Sequence, residues 1–406
     1  MRGCRTALRT VGLTAVAALL AGCGASSHPT THPAGHDAAA RPAPAGSPAA
    51  AQQKASPPAV PMRAGERRAT LRLPTDYRPA APSGGTDDYR CFVLDPQLTA
   101  PTFVTGAEVL PDNPALVHHA ILYRVEPGQA AAAVEADAAS AGAGWTCFGG
   151  AGLPGGDGGP AGQLDAAPWV TAWAPGGSGE RLTGRGTGVL LQPGSRLVLQ
   201  MHYNLLHGSG VDRSGVRLRL APGTAKLQPL HTMLLPAPVE LPCAPAESGR
   251  LCDRKAAVVD VARRIGTGAE LTISGLQFLC GGDLAEPRSG ATQSCDRRIA
   301  QPATIRAVAG HMHLLGRSIR IELNPGTPQA RTLLDVKVWN FDDQGAVPLR
   351  QPVRVGPGDE LRVTCRHDAS LRSKLPALRD QQPRYVVWGE GTSDEMCLGI
   401  VVVTRP

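Results

Sequence analysis

Glycine and proline punctuate this chain so densely that few stretches between them can support a long helix. Its 406 residues include 48 glycines and 37 prolines; proline interrupts a helix and glycine weakens one. Between the breaks lie short runs that alternate apolar and polar, the period of a half-buried strand. The clearest are Leu116–Val125 (LVHHAILYRV), Ser195–Leu205 (SRLVLQMHYNL), and the runs Thr304–Gly310 and Leu314–Leu323 that flank GHMHLLG. Further strands are predicted at Thr70–Leu73, Asp88–Leu94, Glu108–Leu110, Trp169–Trp173, Gly188–Leu191, Thr332–Trp339 and Glu360–Arg366. A short helix is predicted at Ala130–Ala139. After a junction around Leu220–Leu230, the second half opens with Thr232–Pro236 and Ala256–Ala262 and continues through a strand at Glu270–Phe278. The last hairpin is expected to pair Tyr385–Trp388 with Cys397–Val403. The pattern predicts an all-β chain of two antiparallel sandwiches, over residues 68–226 and 227–406.

The first 22 residues read as an export signal. Arg2, Arg5 and Arg9 precede an apolar run, Val11–Ala21, too short to span a bilayer. The run ends in Leu20-Ala21-Gly22-Cys23, which resembles a bacterial lipobox. In such signals the cysteine, here Cys23, is diacylated and becomes the first mature residue, and two acyl chains suffice for stable anchoring. The expected location is the outer face of a bacterial cell membrane. Residues 23–67 are poor in large apolar side chains and read as a disordered tether, with His28, His32 and His36 in solvent. Beyond Cys4 and Cys23 the chain has eight cysteines, an even number that predicts up to four disulfides in an exported protein. None forms a CxxC pair, which argues against a structural zinc knuckle or a redox motif. The net charge of +7 comes from dispersed arginines without interleaved aromatics, so nucleic acid is not an expected partner.

Ligand-type side chains gather at four places. His311 and His313 stand two apart on a strand, so they share a face roughly 6.6 Å apart and can converge on one metal. A pair of histidines on a half-exposed strand gives the same sequence, so company decides. His118 and His119 are adjacent; on a regular strand they face opposite ways, and only a bulge lets both reach one metal. His202 shares its strand face with Gln200, as a ligand and its polar neighbour would. Met396, in SDEMC, offers a soft thioether that favours Cu(I).

Taken together, VHHAIL, WAPG (Trp173–Gly176), LQMHYN, HMHLLG, WNFDDQ (Trp339–Gln344), GDELRVTC (Gly358–Cys365) and GEGTSDEMC (Gly389–Cys397) resemble the copper type II, ascorbate-dependent monooxygenases, from about Cys91 to the C-terminus. That family includes peptidylglycine α-hydroxylating and dopamine β-type enzymes. The resemblance implies two tandem jelly-roll-like domains with a copper at the face of each across a cleft, two coppers per chain. His118, His119 and His202 match the ligands of the electron-transfer copper. His311, His313 and Met396 match those of the copper that binds O2 and hydroxylates a small organic substrate, with ascorbate or another one-electron reductant as co-substrate. The family pattern also implies disulfides Cys365–Cys397 and Cys91–Cys147; Cys243, Cys252, Cys280 and Cys295 allow three connectivities.

The chain departs from the peptide-amidating members at two positions. Ala309 stands where they carry a substrate-holding arginine, and Ile400 where they carry a tyrosine, so peptide amidation is not carried over. Two other readings fit the same residues: a copper-buffering lipoprotein without turnover, and a zinc or iron site made of His311, His313 and Asp394 or Glu395.

Overall fold

Strand-forming runs dominate the fold, as the punctuation of the sequence predicts. The structure is a computed structural model describing residues 61–81, 86–147, 150–153, 168–173, 179–206, 208–265, 268–341, 343–391 and 393–406. The expected signal, Cys23, and the tether up to residue 60 lie outside the described residues, as do Ala174–Gly176 of WAPG. All described residues belong to one compact unit, Gln53–Pro406. No helix among them is long and apolar enough to cross a membrane.

In the first half the elements are β1 (Arg67–Arg72), β2 (Asp87–Leu94), β3 (Thr102–Leu110), β4 (Val117–Val125), α1 (Ala130–Ala138), β5 (Trp145–Thr146), β6 (Trp169–Trp173), β7 (Arg181–Leu182), β8 (Thr187–Leu191), β9 (Arg196–Asn204) and β10 (Gly215–Pro222). In the second half they are β11 (Gln228–Ala237), β12 (Glu240–Leu241), α2 (Arg254–Ile265), α3 (Gly268–Leu279), β13 (Thr292–Arg298), β14 (Ala303–His311), β15 (Gly316–Leu323), β16 (Arg331–Val336), β17 (Val347–Val355), β18 (Glu360–His367), β19 (Val386–Val387) and β20 (Cys397–Thr404).

Four sheets form. A five-stranded sheet, β5-β2-β9-β4-β6, shares a core with β1-β10-β3-β8. The alternation of β9 explains that core: Leu197, Leu199, Met201 and Tyr203 are fully buried within it, while Gln200 and His202 take the other face. In the second half β13-β18-β15-β16 packs on β11-β20-β14-β17 around Ile305, Val308, Ile319, Ile321, Val363 and Val401. The two halves share one sheet, because β8 and β11 pair in parallel at Thr187–Gln228 and Gly188–Pro229. Four disulfides join Cys91–Cys147, Cys243–Cys252, Cys280–Cys295 and Cys365–Cys397.

Two local expectations fail. Glu270–Phe278, expected as a strand, lies in helix α3, and Ala256–Ala262 lies in helix α2. The β-branched residues suggest strands, but the buried positions Ala269, Ile273, Leu276 and Gln277 recur at helical spacing, and a helix hairpin satisfies them. The final hairpin also does not form: β19 pairs with β12, and β20 lies between β11 and β14. CLGIVVVT is apolar on both faces, so it settles in the sheet interior, where two neighbours cover it.

Candidate metal centres

The first cluster depends on a defect in a strand. Val117 pairs with Tyr203 and His119 with His202, so His118 is the extra residue of a β-bulge in β4. That bulge puts the adjacent histidines on one side. Nδ1 of His202 lies 3.1 Å from Nδ1 of His118 and 3.2 Å from Nδ1 of His119. One ligand atom from each of the three rings can be chosen so that all lie within 4.8 Å of one another.

Strand β2 supports the cluster from the side. His202 Nε2 donates to Asp87 Oδ1 at 2.8 Å, which leaves its Nδ1 as a lone pair facing the other rings. Tyr89 stacks on His202, with centroids 4.0 Å apart and planes 16° from parallel, and its hydroxyl donates to the Glu390 carbonyl. Burial, reinforced by the neighbouring His202 and His313, pushes His118 down to about 3. Burial likewise holds His119 well below its ordinary value and lowers His202 despite Asp87. Three neutral imidazoles crowding their nitrogens together suit a bound copper, zinc or iron ion.

The second cluster is built on a turn. β14 ends at His311, Met312 is buried in the core, and β15 begins at Gly316. Both glycines of GHMHLLG are set by close approach: a Cβ on Gly310 would meet Ile319 at 2.6 Å, and one on Gly316 would meet Met312 and Trp339 at 2.9 Å. The rings of His311 and His313 stand 5.2 Å apart. His311 Nδ1 donates to Gln344 Oε1 at 2.5 Å and His313 Nδ1 to the Asp394 carbonyl at 3.1 Å, which leaves both Nε2 atoms as lone pairs. Burial, with the adjacent His313, pushes His311 down to about 4.

Glu395 holds this turn. Its fully buried carboxylate accepts from the backbone N–H groups of His313 at 2.9 Å, Leu315 at 2.6 Å and Met396 at 3.2 Å. His367 Nε2 lies 3.4 Å from it. Burial raises the Glu395 carboxyl, but His367 and His313 outweigh it and hold the group below the usual carboxylate range. Met396 is 6% exposed, and its carbonyl lies 3.3 Å from His367 Nε2. The next residue is clamped by Cys365–Cys397. Since His311 pairs with Leu398, the strand end bearing the histidine lies two residues from Met396.

The two clusters are neighbours, with the rings of His119 and His311 6.3 Å apart. Gln200, expected beside the first metal, directs its amide to the Gly150 carbonyl at 3.1 Å and Cys147 Sγ at 3.5 Å, and accepts from Tyr123 at 3.4 Å. The carboxylates considered as zinc or iron ligands are engaged elsewhere: Asp394 binds Arg264 at 2.7 Å, and Glu395 binds the turn. Ala309 and Ile400 are direct cross-strand partners. Sequence reasoning missed Asp87, Tyr89 and His367. Asp87, Tyr89 and Cys91 alternate on one strand, and an acid and an aromatic in step with a buried cysteine were the available signal; for His367 there was none.

Among solved structures, allantoicase is 11% identical over 80% of this chain and 90% of its own, with a TM-score of 0.18. A Paenibacillus xanthan lyase is 12% identical over 83% and 25%, with a TM-score of 0.17, and the coconut allergen cocosin is 11% identical over 84% and 85%, with a TM-score of 0.15. Scores this low carry no argument. No curated protein matches the chain. Residues 288–402, which contain His311, His313 and Met396, match the family described as copper type II ascorbate-dependent monooxygenase, C-terminal domain. Over that domain, which spans less than a third of its length, the chain is similar to the copper type II ascorbate-dependent monooxygenases.

Proposed function

We propose that this protein hydroxylates a C–H bond of a small organic substrate with O2 and an external one-electron reductant such as ascorbate, anchored by Cys23 to the outer face of a bacterial membrane. The observation that carries the reading is the pair of neighbouring histidine clusters, the first with its Nδ1 atoms converging and the second with its Nδ1 atoms tied to Gln344 and the Asp394 carbonyl. His118, His119 and His202 would hold one copper, and His311, His313 and Met396 a second. Copper supplies one-electron redox chemistry and oxygen activation, which no side chain here provides. Burial holds His118, His119, His202 and His311 below their ordinary value, and Asp87, Gln344 and the Asp394 carbonyl orient the rings. A thioether at the second centre favours the reduced metal.

The cross-strand pair Ala309 and Ile400 presents small and apolar surface, which favours a neutral substrate over one held by a terminal carboxylate. Copper analysis with oxygen uptake tests the reading. Two coppers per chain and ascorbate-driven O2 consumption coupled to a hydroxylated product are expected. Two bound coppers with no turnover across a broad substrate screen would instead favour copper buffering.

A further inference from the structure

A cavity of about 280 Å³ lies beside the residues that support the first histidine cluster. Its walls include Asp87 and Tyr89 from β2 and, from the second half, Arg264, Gln381, Gln382 and Arg384. Asp87 and Tyr89 are the residues that bond to and stack on His202, at 2.8 Å and 4.0 Å. A molecule in this cavity is therefore one side chain away from a metal-binding imidazole. We propose that the cavity binds the external reductant, a small polyhydroxylated enediol acid of the ascorbate class. The inference rests on reading His118, His119 and His202 as an electron-transfer copper site.

The wall chemistry selects this class. Arg264 is bound to Asp260 at 3.0 Å and Asp394 at 2.7 Å, and Arg384 to Asp260 at 2.9 Å. These guanidiniums are held in place and largely balanced, which suits a ligand with one negative charge and several hydroxyls over a multiply charged anion. Among the described residues the buried Nε of Arg384 has no hydrogen-bond acceptor, a donor that a ligand oxygen would satisfy. The amides of Gln381 and Gln382 both donate and accept, as hydroxyls require. The volume lies near the lower end of small-molecule sites, roughly 300–1,000 Å³. A copper held by His118, His119 and His202 would accept one electron from the enediolate, whose proton would pass to water as the organic radical leaves.

Two measurements test the site: anaerobic calorimetry of ascorbate with metal-free protein, and stopped-flow reduction of the copper-loaded protein. Arg384→Met removes a donor but leaves Asp260 with one fewer partner, so Leu206→Trp is run beside it. Leu206 lines the cavity and is 43% exposed, so a larger ring there obstructs the site without breaking an ion pair. Saturable binding to metal-free protein is expected, weakened at least tenfold by both substitutions. Half-saturating ascorbate for copper reduction should rise by a similar factor, while reduction by dithionite is unchanged. Saturable reduction that neither substitution alters would overturn the cavity assignment alone. Cavity-dependent binding without any reduction of the copper would overturn the electron-transfer reading, and the reductant role with it.

Discussion

The two clusters solve the same problem with opposite ends of the imidazole ring. In the first, the Nδ1 atoms converge and Asp87 holds His202 through Nε2. In the second, Nδ1 of each histidine is tied to Gln344 or the Asp394 carbonyl, and the Nε2 atoms remain. The first is mounted on adjacent strands of one sheet, stiffened by a bulge and a stacked tyrosine. The second sits on a turn whose shape depends on one buried glutamate and on the segment that carries Met396. A three-imidazole cluster on a sheet offers nitrogen ligands from a rigid support.

The largest effects should separate the clusters outright. Met396→Ile should abolish hydroxylation while the metal of His118, His119 and His202 stays bound; His202→Ala should remove that metal and leave the second. Copper stoichiometry and the Cu(II) EPR spectrum of each variant check this, and loss of both metals from either variant would show the centres to be one unit. Next, Glu395→Gln should cost about 3–5 kcal/mol, because it strips charge from an acceptor of three backbone N–H groups. Thermal denaturation should show the loss, with copper leaving the second site first; an unchanged melting temperature would mean the turn holds itself.

A smaller effect is expected one contact away from a metal. Asp87→Asn should weaken copper at the first site by roughly 10–100-fold and leave the second untouched. Competition with a chelator measures it, and equal weakening at both sites would break the contrast.

The smallest effect is a pH slope in the metal-free protein. His118 and His311 are held down to about 3 and about 4, whereas unfolded imidazoles titrate near about 6.5. Below that value the unfolded chain takes up protons that the folded chain refuses, so stability should fall as pH drops from about 6.5 toward about 4. A melting temperature that rises on acidification across that window would contradict the burial of these rings.

Much of this was legible because strands write their faces into alternating sequence. The two faces of β9, with Tyr203 on one and His202 on the other, follow from spacing alone. The disulfides Cys365–Cys397 and Cys91–Cys147 follow the pattern of the family that the motifs resemble. Where local signals conflicted, the reading failed. The run of α3 suggested a strand, and the terminal run suggested a hairpin, although its two apolar faces needed an interior position.

The sequence by itself determined which side chains can ligate and the strand periodicity that orders them, since both are local properties of covalent spacing. Only the tertiary structure decided that His118 occupies a bulge, that Asp87 meets His202 across a 115-residue separation, and that Glu395 reaches back 82 residues to the His313 amide. Those contacts depend on sheet register and burial, which are set when distant segments pack together and leave no period in the chain to read.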